Sequence, residues 1–153
     1  MMRERVVAEA LSWLRTPYHH LANVKGVGTD CAMLVVAVYK ACGLVPASLD
    51  PRPYAPDWHL HRGEEKFVGW LEQFAQPVDH AQPGDVMVWR FGRTYSHGAI
   101  VIDTAGGIVH AYQEANCVVL GNVHESMLAS RPMQAWRVNG IDALRVNGIE
   151  VAA

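Results

Sequence analysis

The chain has 153 residues, a formal net charge of −2 and a sequence pI near 6.4, with 50% of its residues hydrophobic and 18% charged. That balance fits one globular domain over residues 1–153 with a packed core, and it excludes a disordered chain. The mild acidity argues against a broad basic surface for nucleic acid, and no run of about 18 apolar residues offers a membrane span.

The N-terminal segment MMRERVVAEALSWL places Val6, Val7, Ala10, Leu11 and Leu14 at helical spacing, which predicts an amphipathic helix over 3–14. Glu9 interrupts the apolar stretch and no small-residue cleavage site follows. The segment therefore reads as mature helix and not as a signal peptide, with the protein cytoplasmic when synthesised. Thr16-Pro17 should end the helix, because the residue before proline is pushed out of the α region. Residues 17–29 read as a loop. A second helix should start at Thr29 or Asp30, either of which can cap it, and run through CAMLVVAVYKACG. It is apolar almost all round and should be buried; Lys40 suits its C-terminal dipole and Gly43 its stop.

Residues 46–62 hold Pro46, Pro51, Pro53, Pro56 and Trp58 among few charges, an irregular excursion long enough to be a functional loop. A third helix is predicted over 63–75, with Phe67, Leu71 and Phe74 on one face. From residue 85 the pattern turns to β: GDVMVWRF, HGAIVID, GIVHAY and CVVLGNV are short runs separated by Gly or Asn turns. ESMLAS reads as a short helical turn and MQAWRV as a strand. Helices followed by an antiparallel meander predict an α+β fold. The tail over 136–153 carries RVNGID and RVNGIE; each Asn-Gly predicts a hairpin turn, and two copies of so short a phrase do not make a repeat protein.

Three cysteines without a secretion signal argue against a disulfide framework and leave at least one thiol free. Cys31 follows the predicted N-cap, where unpaired backbone N–H groups and the helix dipole favour a thiolate. A small buried packing residue would suit the same position. Cys42, near the other end of that helix, and Cys117, opening an apolar strand, read as packing residues.

His97 and His110 fall in two β-runs joined by a TAGG-containing loop. If Ile102 pairs with Gly107, the two histidines are diagonal neighbours on one face, with Cβ atoms ~7–8 Å apart. A slip of one residue would separate them. In the first register His97 can take a thiol proton while His110 orients its ring; in the second they are unrelated. His19-His20 and His59-x-His61 lack the spacing of zinc sites, and Gly26-x-Gly28 lacks the flanking strand and lysine of a phosphate loop.

The segments TPYHHLANVKGVGTDCAMLV, QPGDVMVW, SHGAIVI and GIVHAY, in that order, resemble the NlpC family of cell-wall cysteine peptidases. The likeness is strongest to the branch that phages and prophages encode as tail-associated peptidases, which PYAPDWHLHRGEEKFVGWLEQF also resembles. It spans roughly residues 5–138. The resemblance implies a papain-like core, with the nucleophile helix on a small antiparallel sheet or half-barrel. It implies Cys31 as nucleophile, His97 as general base and His110 as the group orienting that base. Tyr18 would join the Cys31 backbone N–H in stabilising the oxyanion, and Asp30 is the acidic residue before the nucleophile, read as a cap.

By the same resemblance the substrate is a peptidoglycan stem peptide, typically cut at the γ-D-glutamyl–diaminopimelate bond through a thioester. No metal or organic cofactor is implied. Asp30, His20, Ser96 and Trp58 are candidate substrate-cleft residues. Two departures stand out. Met33 replaces the small residue usual two places after the nucleophile, and is expected to reshape the pocket beside the thiol. Gly98-Ala99 follows His97 where the family often has a bulky residue and then glycine. The chain shows no extra wall-binding domain, so phage tail proteins are the expected partners for targeting. A catalytically silent tail-tip or wall-binding protein, or an amidase or acyltransferase on the same core, are the alternatives.

Overall fold

A computed structural model describes residues 1–55, 65–146 and 149–151. Helix α1 spans Met2–Ser12 and buries Val6 and Ala10. It stops earlier than predicted, at a Trp13 cap well before Pro17, and Arg15 takes a left-handed φ of 71° in the turn that follows. Leu11 is exposed, so the apolar stripe is narrower than its spacing implied. Residues 17–29 are not a plain loop: strands β1 (Asn23–Val24) and β2 (Gly28–Thr29) form a small antiparallel hairpin.

Helix α2 spans Cys31–Ala41. Of the two possible caps Asp30 is the one used: its backbone is extended and its carboxylate accepts the Met33 N–H at 2.9 Å. At the other end Gly43 adopts φ 71°, and the Gly43 and Leu44 amides return to the carbonyls of Lys40 and Tyr39. Helix α3 covers Lys66–Phe74, burying Phe67 and Leu71 and half-burying Phe74.

The main sheet has six antiparallel strands in the order β3-β8-β4-β5-β6-β7. They are β3 (Ala75–Val78), β4 (Val86–Phe91), β5 (Thr94–Val101), β6 (Gly107–Tyr112), β7 (Cys117–Asn122) and β8 (Met133–Val138). Strand β3 lies before residue 85, where β structure was expected to begin, and its Pro77 is tolerated because β3 is an edge. Helix α4 (Ser126–Ala129) links β7 to β8. The second Asn-Gly lies between the paired strands β9 (Leu144–Val146) and β10 (Ile149–Val151). The first makes a turn, with Gly140 at φ 83°, but no hairpin. Strand β8 is already hydrogen-bonded to β3 and β4 on its two sides and has no edge left to pair.

Alternation along the strands builds two cores. Val86, Val88, Ile100, Val109 and Ala111 face the three longer helices, packing with Met33, Leu34, Val38 and Phe67. Met87, Trp89, Ala99, Val101 and Ile108 face the other way, against Leu128 of α4. The fully buried Asp85 carboxylate ties the layers together, accepting from Arg3 at 3.0 Å, Arg137 at 2.9 Å and the Gln82 amide at 2.8 Å. Beside it the Tyr39 hydroxyl donates to the Gly84 carbonyl at 2.7 Å. The Pro-Gly-Asp entry to β4 is thus where α1, α2 and β8 are anchored.

Candidate active site

Two irregularities in the sheet shape the site. Strands β5 and β6 are paired at Ile100↔Val109 and Val101↔Ile108, and no ladder pair joins them further along. In addition, β5 carries a bulge against β4: Trp89 lies opposite His97 and Arg90 opposite Tyr95, leaving Ser96 as the extra residue. Bulges re-aim backbone and side chains next to functional sites. Here the Ser96 carbonyl is turned to accept a hydrogen bond from the Cys31 thiol at 3.4 Å. The N-terminus of α2 therefore meets the opened ends of β5 and β6, although it packs on one face of the sheet and His97 projects from the other.

Beyond that opening lies a cleft of about 210 Å³, lined by Tyr18, His20, Asp30, Cys31, Ser96 and His97 among others. The register required of the two histidines is the one observed, with Ile102 N–H donating to Gly107 O. His97 Nε2 lies 2.8 Å from His110 Nδ1. His110 is only 2% exposed and sits behind His97, stacked on Tyr112 with ring planes 8° apart. Trp89 and Phe91 pack against the His97 ring at 5.9 and 5.5 Å between centroids. An added Cβ at Gly121 would lie 2.7 Å from His110 Nε2, so the neighbouring strand has room for this imidazole only because it carries glycine there.

The electrostatics differ from those expected of a cysteine at a helix start. Burial pushes the Cys31 thiol up to about 12, and the nearby Asp30 charge adds to the rise. The backbone amides of Gly98, Ala32 and Cys31 itself oppose it. Burial also holds His97 down to about 3, with His110 and Arg131 adding to the effect. His110 is lowered by its own burial, against the Glu125 charge. Desolvation thus opposes the charged form of each group, and at Cys31 it outweighs what the helix N-terminus offers. Burial likewise raises the Tyr18 hydroxyl, with Cys31 and Asp30 adding to the rise.

Asp30 lines the cleft, but its oxygens are taken. Besides the Met33 amide they accept from the Leu21 amide at 2.8 Å and from the Tyr54 hydroxyl at 2.7 and 2.6 Å. His20 reaches the same cluster, with Nδ1 3.7 Å from Asp30 and Nε2 3.0 Å from the Tyr54 carbonyl. Tyr54, Trp70, Phe91 and Tyr112 also line the cleft and were not singled out from the sequence. Tyr54 sits in the proline-rich excursion, where no spacing links it to Asp30. Trp58, His59 and His61 lie outside the described residues.

Met33 does not do what its place in the sequence implied. It is fully buried in the core and does not line the cleft. Two residues along a helix is a turn of about 200°, which points it away from Cys31. At Gly98 an added Cβ would meet the Phe67 ring at 2.6 Å, so a side chain from α3 occupies the space beside His97. Cys42 is buried and Cys117 half-buried, and neither lines the cleft. Among the described residues no group of three or more His, Cys, Asp or Glu side chains is placed to hold a metal ion, and no helix is long and apolar enough to cross a membrane.

Residues 15–137 match the family model described as NlpC/P60 family. No curated protein matches the chain. Solved structures share the fold. The NlpC/p60 domain of the peptidoglycan hydrolase SagA aligns over 86% of this chain and 96% of its own, with 21% identity and a TM-score of 0.56. NlpC1 from Trichomonas vaginalis aligns over 89% of this chain, with 16% identity and a TM-score of 0.64, although this chain spans only 43% of it. The peptidoglycan hydrolase RipB from Mycobacterium tuberculosis aligns over 89% of this chain and 64% of its own, with 18% identity and a TM-score of 0.58.

Proposed function

The chain belongs to the NlpC/P60 family, and on that premise we propose that it is a cysteine peptidase cutting peptidoglycan stem peptides, with Cys31 as nucleophile. The observation that carries the reading is the 2.8 Å contact between His97 Nε2 and His110 Nδ1 in the wall of the cleft that holds Cys31. With His97 Nε2–H donating to His110, the other ring nitrogen of His97 is left as the basic one. His110 is thereby the orienting residue and His97 the general base.

In the reaction, His97 takes the Cys31 proton as the thiolate attacks the amide carbonyl. The desolvated thiol gives up its proton as that charge passes to the substrate oxygen. The Cys31 backbone N–H and the Tyr18 hydroxyl, which burial keeps protonated, donate to the oxyanion. His97 then returns the proton to the departing amine, and water hydrolyses the thioester. Asp30 contributes as the cap that fixes the start of α2, while His20 and Ser96 bound the substrate cleft.

The bond is the γ-D-glutamyl–diaminopimelate amide, and the protein acts as a phage or prophage tail-associated enzyme, delivered to the wall by tail proteins. Both are what the family resemblance of the ordered motifs around Tyr18, Cys31 and His97 implies. Mass analysis of purified peptidoglycan after digestion tests the activity. Release of fragments ending at D-glutamate should vanish in Cys31→Ala and persist in Cys42→Ala and Cys117→Ala. Activity retained by the Cys31 variant would overturn the assignment, and products carrying an added amine would mark a transferase. Copurification with tail proteins tests the association.

A further inference from the structure

We propose that Glu114 is a specificity-determining residue that takes the side-chain ammonium of the diaminopimelate whose α-amine leaves. The inference rests on the peptidase reading above and adds the group that selects the residue after the cut. Glu114 lines the cleft and is exposed. Its Oε2 accepts the Tyr112 hydroxyl at 3.0 Å. Among the described residues its Oε1 takes no hydrogen bond, and no cation pairs with the carboxylate. One oxygen is thus anchored while the other is open to an incoming donor.

The charge of the cleft favours a cation. Its lining includes two carboxylates, Asp30 and Glu114, and among the described residues no lysine or arginine. Asp30 is 2% exposed and already accepts from Met33, Leu21 and Tyr54, which leaves it little to offer a substrate. Arg131 stands behind the wall, its guanidinium carbon 3.7 Å over the Phe91 ring. Burial raises the Tyr112 hydroxyl and Glu114 adds to the rise; beyond the cleft, Glu125 adds further and Arg131 opposes it. Those two outer charges act in opposite senses, and Glu114 is the carboxylate that meets a substrate.

Position selects which cation. In the proposed reaction His97 protonates the departing amine, so the residue that carries this amine lies along the His97 face. From there the contacts run outward to Glu114. The Tyr112 ring is stacked on His110 with planes 8° apart, and its centroid is 6.3 Å from that of His97. Its hydroxyl then holds Glu114. The far amine of diaminopimelate lies roughly 7 Å from the scissile nitrogen when the side chain is extended, a reach of the same order.

The test compares kcat/KM on two stem tripeptides, one with diaminopimelate and one with 2-aminopimelate, which lacks only the far amine. The wild type should prefer diaminopimelate by about fivefold, the upper range of an exposed ion pair. That preference should shrink as salt is raised, because the pair is open to solvent. Glu114→Gln should bring the ratio close to one, mainly by raising KM for the diaminopimelate peptide, and Glu114→Asp should restore part of it. A wild type that cuts both peptides equally, or a glutamine variant that keeps the wild-type ratio, would overturn the inference and leave the peptidase reading standing. A wild type that cuts neither peptide overturns both readings.

Discussion

His97 Nε2 and His110 Nδ1 stand 2.8 Å apart in the wall of the cleft, a separation that requires one nitrogen to donate and the other to accept. Two protonated imidazoles, each with both nitrogens as donors, cannot make this contact.

The pair should therefore make stability depend on pH. The folded value for His97, about 3, lies below the unfolded value of roughly 6.5. Between these limits the unfolded chain binds more protons, so stability rises with pH there. The contribution is fully present above pH ~6.5 and is lost as pH falls toward ~3, at up to ~1.4 kcal/mol per pH unit for each proton involved. Urea denaturation at steps from pH 4 to 8 should show this slope, and His97→Gln should flatten it. Equal slopes in the two proteins would count against a buried neutral pair.

Gly121 should be intolerant of the smallest addition. An alanine Cβ would stand 2.7 Å from His110 Nε2 and 3.3 Å from its Cδ2, so the ring must shift. With His110 in its proposed role of orienting His97, Gly121→Ala should lower kcat by ~10–100-fold with little change in KM. Circular dichroism and the melting temperature separate this from a folding defect. Full activity with an unmoved melting temperature would show that His110 has slack.

Cys31 should behave as a high-pKa thiol in the resting enzyme, since burial pushes it up to about 12. Alkylation by iodoacetamide, followed by peptide mapping, should be slow at pH 7 relative to the half-buried Cys117. It should rise about tenfold per pH unit over pH 7–9. Fast, pH-independent labelling of Cys31 would instead indicate a standing thiolate–imidazolium pair.

The Tyr54 hydroxyl bonds both oxygens of a 2%-exposed carboxylate, and its loss should be felt in stability as well as in substrate binding. Tyr54→Phe leaves Asp30 short of a donor and should cost ~1–3 kcal/mol. Asp30→Ala removes the cap and the cluster together and should cost more. Chemical denaturation gives both values. A phenylalanine variant as stable as wild type would mean that water replaces the hydroxyl.

Several of these features are legible in the sequence alone. The start of α2 was readable to within one residue, because a capping side chain and an apolar run are neighbours in sequence. The pairing of His97 with His110 depended on a single turn, and a short loop leaves few registers to choose from. The direction of Met33 was legible too, since about 100° per helical residue turns it away from Cys31. Its departure from the family pattern lies in the core and not in the cleft.

The sequence by itself determined the chemistry on offer: a cysteine at a helix start, two histidines one strand apart, and the tyrosine that precedes them. These are set by local spacing and by side-chain type. Only the tertiary structure decided how they meet. The contact of the Ser96 carbonyl with Cys31, Tyr54 on Asp30 and Arg131 on Phe91 all join segments far apart in the chain. The same burial decided protonation, because desolvation is a property of everything packed around a group and outweighed what the helix N-terminus offered Cys31.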